Sequence, residues 1–157
     1  MKRLIILLML VYPTAVSGEQ VKNVAYYIYN AATEFNLDPS LMYAICHVES
    51  HCKPSAINHN DGTSKQKELG IISKSHGMFQ IKLSTAKGLG FKGNAQQLQS
   101  PSVNVWYAAK YLNHLYKRYN DTLKVISAYN AGTYTTKNKT YVSRVLETYI
   151  KHNIDGK

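Results

Sequence analysis

The stretch AICHVESHCKPSAIN, Ala44–Asn58, sets one carboxylate, Glu49, between two cysteines and ahead of a proline. Upstream, Leu41, Ile45 and Val48 recur at helical spacing, and Asp38-Pro39 has the form of an N-cap followed by proline in the first turn. A helix therefore begins at Pro39. On its wheel Glu49 falls at the margin of the apolar stripe, beside Met42 and Ile45. If that helix ran through Cys52, the two cysteine Cα atoms would lie about 9 Å apart along its axis. A disulfide tolerates roughly 7 Å. A bonded pair thus requires the helix to stop near Ser50 and the chain to turn back, and Pro54 disfavours helix at Lys53. Glu49 then occupies the last turn. Partial desolvation and the negative end of the helix dipole both favour its protonated form, the form a general acid needs.

Working outward, the 157 residues suffice for one domain with a substantial core. They open with Lys2 and Arg3, an apolar run from Leu4 to Tyr12 and the small residues of PTAVSG. This is the pattern of a targeting segment over 1–18, with the functional domain over 19–157. The apolar run is short for a bilayer span. Export would place Cys46 and Cys52 in an oxidising compartment, where one disulfide is expected. His47, His51 and His59 lie close by, but scattered histidines around Cys-x5-Cys lack the usual ligand spacing, so neither metal nor cofactor is expected. Nineteen Lys and Arg against nine Asp and Glu give a net charge of +10. An exported basic chain of this kind meets an anionic wall polymer or membrane surface. The lysines are dispersed and form no recognisable nucleic-acid module, which argues against a nucleic-acid partner.

The patterning predicts a mainly α single domain. Helices are expected over Val21–Asn36, from Pro39, over Pro101–Tyr119, from a cap at Asp121 or Thr122 through Tyr129 with Gly132 ending it, and over TYVSRVLETYIK. Asn58–Gly77 reads as a polar loop, with Ser75 capping a short helix that carries MFQIKLSTAKGLG. No alternating run is strong enough to predict a sheet. Most of the thirteen tyrosines sit at helical core or margin spacing and read as packing residues with a wet hydroxyl; a minority would line a groove.

Two further segments bear on Glu49. HGMFQI, His76–Ile81, offers a glycine for close backbone approach and an amide in Gln80; SAYNAG, Ser127–Gly132, offers a hydroxyl and an amide before a glycine turn. Taken alone these are a tight loop and a helix C-cap. In this order, AICHVESHCKPSAIN, GMFQI and AYNAG resemble the E-S, G-L-M-Q-I and A-Y-N-A-G motifs of soluble lytic transglycosylase domains, whose fold is similar to goose-type lysozyme. LQSPSVNVWYAAKYLNHL resembles the segment that precedes the family's last motif. The likeness runs from Val21 to Leu146. It implies that Glu49 is the lone catalytic acid/base and that Ser50 supports its position. It further implies that Met78 and Gln80 line the saccharide groove, Tyr129 hydrogen-bonds near the catalytic carboxyl, and Asn130 contacts the sugar. This chain has Met-Phe where the family has Leu-Met, and its loop from Asp61 to His76 is longer than usual.

The implied reaction is cleavage of the MurNAc–GlcNAc β-1,4 bond of peptidoglycan glycan strands with formation of 1,6-anhydro-MurNAc. It would be carried out in the periplasm or cell envelope by a monomer serving a secretion, conjugation or pilus system. The alternatives are a hydrolytic muramidase using Asp61 or Glu68 as second carboxylate, and a non-catalytic wall-binding subunit. The cysteine pair yields the first test. Thiol labelling of protein exported into its native compartment should find no free cysteine, and reducing so short a loop should cost on the order of 2 kcal/mol of stability.

Overall fold

The computed structural model describes residues 19–60, 68–70 and 73–155. The targeting segment and the part of the polar loop that holds Asp61 lie outside them. Among the described residues there are seven helices: α1 Glu19–Phe35, α2 Pro39–Ser50, α3 Leu83–Gly88, α4 Ala95–Leu98, α5 Pro101–Tyr119, α6 Thr122–Ala131 and α7 Lys139–Asp155. No described helix is long and apolar enough to cross a membrane.

The helix ends follow the sequence signals. Asp38 caps α2 by accepting from the backbone N–H groups of Ser40 and Leu41, with Pro39 in the first turn. Asp121 caps α6 through the Lys124 N–H, and Gly132, at φ 80°, ends it. α2 stops at Ser50 because His51 and Cys52 both take left-handed backbone, φ 52° and 55°. The Cys52 N–H reaches back to the Cys46 carbonyl, and the Cys46–Cys52 disulfide closes the same turn with Cα atoms 5.0 Å apart. Two successive non-glycine residues in this region cost about 1–3 kcal/mol each, and the covalent bridge helps to hold them there.

Two expectations fail. A small antiparallel sheet exists, ordered β1 Ile57–Asn58, β2 Ser75–His76, β3 Ile81–Lys82. Two residues per strand are too few to print an alternation in the sequence. Ser75 caps no helix: it lies in β2, buried, opposite Asn58 on one side and Lys82 on the other. The helix after it starts only at Leu83, with Lys82 as its N-cap.

α2 packs against α1 and α7, and α5 packs against α1 and α6. Met42, Ile45, Val105, Leu112, Leu115, Val125, Ile126 and Val145 fill the space between them, together with Met78 and Phe79 from the β2–β3 turn. One polar residue joins this core. Asn104 of α5 has no exposed surface. Its Oδ1 accepts from the Phe79 N–H at 2.8 Å, and its Nδ2 donates to the carbonyls of His76 at 2.8 Å and Leu98 at 3.0 Å. Gly77, at φ 74°, lies against this amide so closely that a Cβ would come within 2.5 Å of Nδ2.

Asn104→Ala leaves a buried N–H and two carbonyls short of a partner, so it should cost about 3 kcal/mol in denaturant unfolding. Gly77→Ala should cost a comparable amount through the clash and the positive φ. The double variant should lose less than the sum, since Asn104→Ala removes the atom that the new Cβ would strike.

Candidate active site

Glu49 projects from the last turn of α2, half-buried, into a cavity of about 460 Å³. Asn58, Gln80, Lys82, Tyr111, Tyr129 and Asn130 share its wall. Glu49 is the only carboxylate among the described residues that line it. Glu68 is exposed and does not line it.

The turn from His76 to Gln80 brings Gln80 to this wall, and several of its backbone groups have partners on other parts of the chain. The Gly77 N–H donates to Ala56 O at 2.8 Å. The Ser50 hydroxyl donates to Met78 O at 2.7 Å, and the Tyr129 hydroxyl donates to Phe79 O at 2.9 Å. Gln80, itself left-handed at φ 48°, donates from Nε2 to the carbonyls of Gly77 and Ala56, while its Oε1 accepts from Ser75. The motif glutamine thus faces the cavity with its amide already committed to holding the turn.

The motif residues therefore converge, though with a different division of labour from the one expected. The Met78 side chain is fully buried in the core and does not line the cavity; its carbonyl is what the site uses. Ser50 turns its hydroxyl to the protein, tying the end of α2 to the turn. Tyr129 lies close enough to Glu49 that the carboxylate charge, after burial, is the next cause holding its phenol well above the usual value of 10. Its hydroxyl nevertheless goes to Phe79, not to Glu49. Asn130 is exposed on the cavity wall and accepts from Asn138 Nδ2 at 3.3 Å.

The tyrosine that does bond Glu49 is Tyr141, near the start of α7. Its hydroxyl donates to Glu49 Oε1 at 2.7 Å. Burial first, then the Glu49 charge and this hydrogen bond, push its pKa well above 10, so it remains a protonated donor at any physiological pH. Sequence reading missed it. Tyr141 is one of thirteen tyrosines, in a segment read only as a closing helix, and 92 positions from its partner. The loop that delivers α7 is pinned by Asn138, which donates to Ser127 O at 2.8 Å, and by Ser127 Oγ, which accepts from the Thr135 N–H. Two turns farther along α7, Tyr149 donates to Asp38 Oδ2 at 2.7 Å, so the helix is held to both ends of α2. Among the described residues, no three His, Cys, Asp or Glu side chains converge as metal ligands would.

Residues 26–150 match the family model described as Transglycosylase SLT domain. Invasion protein IagB of Salmonella typhimurium (strain SL1344) is 35% identical over 121 residues, 74% of this chain and 71% of that protein. Protein IpgF of Shigella flexneri is 30% identical over 132 residues, 81% of each. The Peptidoglycan-binding-like protein of Escherichia coli O157:H7 is 28% identical over 124 residues, 76% of this chain and 72% of that protein.

Tyr141→Phe removes only the donor. It should leave the neutral-pH melting temperature within a few degrees of native. Any catalytic rate that depends on Glu49 should fall roughly tenfold or more, for a lost charge-assisted hydrogen bond of about 1.5–3 kcal/mol. The sign of the pH effect is fixed by the raised phenols. A native pKa above the unfolded one contributes stability that is complete below about pH 10 and is lost as pH climbs through the native value. Alkaline unfolding followed by circular dichroism should therefore steepen above pH 10, less so in the variant.

Proposed function

The chain belongs to the Transglycosylase SLT domain family, and we propose that it cleaves the β-1,4 bond between MurNAc and GlcNAc of peptidoglycan with Glu49 as its single acid/base. The observation that carries this reading is Glu49, the lone carboxylate among the described residues of the cavity wall, held by Tyr141 and sharing that wall with Gln80. Two-carboxylate glycosidases place acid and nucleophile or base on either side of the bond. Here the described wall supplies one.

In the proposed sequence, protonated Glu49 gives its proton to the glycosidic oxygen as the bond from C1 of the muramyl sugar breaks. The sugar's N-acetyl oxygen supports the positive charge at C1. The resulting carboxylate takes the proton of the C6 hydroxyl as O6 closes on C1, which yields a 1,6-anhydro ring and restores protonated Glu49. No water is consumed. Throughout the cycle the Tyr141 phenol keeps its proton and orients the carboxyl group. Tyr129 and Ser50 hold the facing turn in place, and Asn130 stands on the wall where a sugar hydroxyl or amide would meet it.

The targeting pattern of residues 1–18 supports action outside the cytoplasm, in the periplasm or envelope. The small size of the chain, and its similarity to a protein named for invasion, support local opening of the wall for an envelope-spanning secretion, conjugation or pilus assembly.

Glu49→Gln should fold with a near-native melting temperature, still bind purified wall, and lose at least about 10²-fold in rate. Asp61→Asn and Glu68→Gln should each keep most activity. Mass spectrometry of the released muropeptides should find 1,6-anhydro ends, one water lighter than reducing ends. Reducing ends abolished by Asp61→Asn or Glu68→Gln would establish a hydrolytic muramidase instead. Wall binding without cleavage by the wild type would make the chain a non-catalytic subunit.

A further inference from the structure

Tyr141 reaches Glu49 from the first turn of α7, so whatever fixes that turn fixes the hydrogen bond. Asn138 stands just ahead of α7, half-buried, and its carbonyl accepts from the N–H groups of Tyr141 at 3.0 Å and Val142 at 3.2 Å. It therefore occupies the N-cap, where an asparagine side chain ordinarily accepts from an N–H of the first turn. Here the side chain is used differently. Its Nδ2 donates to Ser127 O at 2.8 Å and to Asn130 Oδ1 at 3.3 Å, and its Oδ1 lies 2.9 Å from the Ser127 hydroxyl. All of these partners belong to α6. That helix is anchored in the core by Val125, Ile126 and Ala128, none of which has exposed surface, and through Tyr129 it holds the Phe79 carbonyl. Asn130 itself lines the Glu49 cavity.

Apolar packing alone does not set Tyr141 this closely. Val145 buries α7 in the core, with Val142 and Leu146 packed at its edges. Such contacts are non-directional and leave room for small rotations and slides of the helix. A short hydrogen bond is directional and is lost by a displacement of about 1 Å. The Asn138 amide supplies the missing reference: its side chain ties the start of α7 to α6 while its carbonyl holds the Tyr141 N–H. We infer that Asn138 is a positioning residue, which through Tyr141 holds the Glu49 carboxyl in register with the part of the cavity wall that α6 provides. The consequence for rate rests on the transglycosylase reading of the Glu49 cavity; the placement of the Tyr141 phenol does not.

Asn138→Ser in the full chain is the test. It keeps a side chain able to cap α7, leaves Thr135 O as a partner for the Ser127 hydroxyl, and removes the amide. The first readout needs no turnover. Tyrosine labelled with carbon-13 at Cζ reports the Tyr141 phenol by NMR, its signal assigned by its disappearance in Tyr141→Phe. Glu49→Gln marks where that phenol resonates once it no longer faces a carboxylate, and Asn138→Ser should move the signal at least halfway there. The second readout is turnover of soluble glycan strands. Asn138→Ser should lower kcat about fivefold with KM unchanged within about twofold, the pattern of a contact that acts in the transition state. Combined with Tyr141→Phe it should cost no more than about a further twofold, since both changes act on one bond. Asn153→Ser, which removes the amide that bonds Tyr149 O near the far end of α7, should alter neither readout. An unmoved Tyr141 signal overturns the inference, and so does a rate loss that multiplies with that of Tyr141→Phe. Asn138→Asp, similar in size and also able to cap but without the donor, should behave as Asn138→Ser does; if neither variant folds, Asn138 is a structural residue and the assignment fails. If the wild type releases no anhydro ends from wall, the proposed reaction is lost and the tyrosine signal alone decides the placement.

Discussion

Everything around Glu49 depends on one constraint: the backbone of the His76–Gln80 turn is buried, and its polar groups must find partners away from water. An unpaired buried N–H or carbonyl costs about 1–3 kcal/mol, so a turn with this many such groups is stable only when several other segments arrive together. They do so from α2 through Ser50, from β1's approach through Ala56, from α5 through Asn104 and from α6 through Tyr129. Met78 and Phe79 anchor the turn from below as fully buried side chains. The turn is thereby both a core element and the wall of the cavity, and a fault in any one tie disturbs folding and site together.

Helix α2 has its own set of restraints. α2 ends in two left-handed residues, His51 and Cys52, that an unconstrained chain would avoid. The disulfide, the Cys52 N–H to Cys46 carbonyl bond and the Ser50 hydroxyl hold that ending, and α7 clasps the helix from outside through Tyr141 and Tyr149. Glu49 is therefore oriented by a phenol from one side and by a strained helix terminus from the other. In the proposed reaction, preorganisation of this kind would let a single carboxyl both give and take a proton without a large rearrangement.

Charge enters at a different scale. The excess of lysine and arginine, spread over the surface, draws a basic chain toward an anionic polymer at long range.

The sequence by itself determined what local chemistry controls. Asp38-Pro39 and Asp121 start helices because their side chains accept from nearby N–H groups, and Gly132 stops one because glycine tolerates positive φ. The helical class, the halt of α2 at Ser50 and the family likeness of three ordered motifs all lie within short windows of chain. The tertiary structure alone decided the pairings across long sequence distance. Nothing at helical spacing distinguishes Tyr141 from the other tyrosines until α7 crosses α2, and only then does its hydroxyl, rather than that of Tyr129, meet Glu49. Asn104 occupies the apolar face of α5 as an apparent mismatch until the Gly77 turn arrives to use its amide. Met78 belongs to a motif yet faces the core, because a left-handed Gly77 and Gln80 turn the backbone, not that side chain, toward the cavity. Hydrogen bonds of this kind are short-ranged and directional, so a residue's type tells which bonds it is able to make, and only the folded chain tells which partner comes within reach.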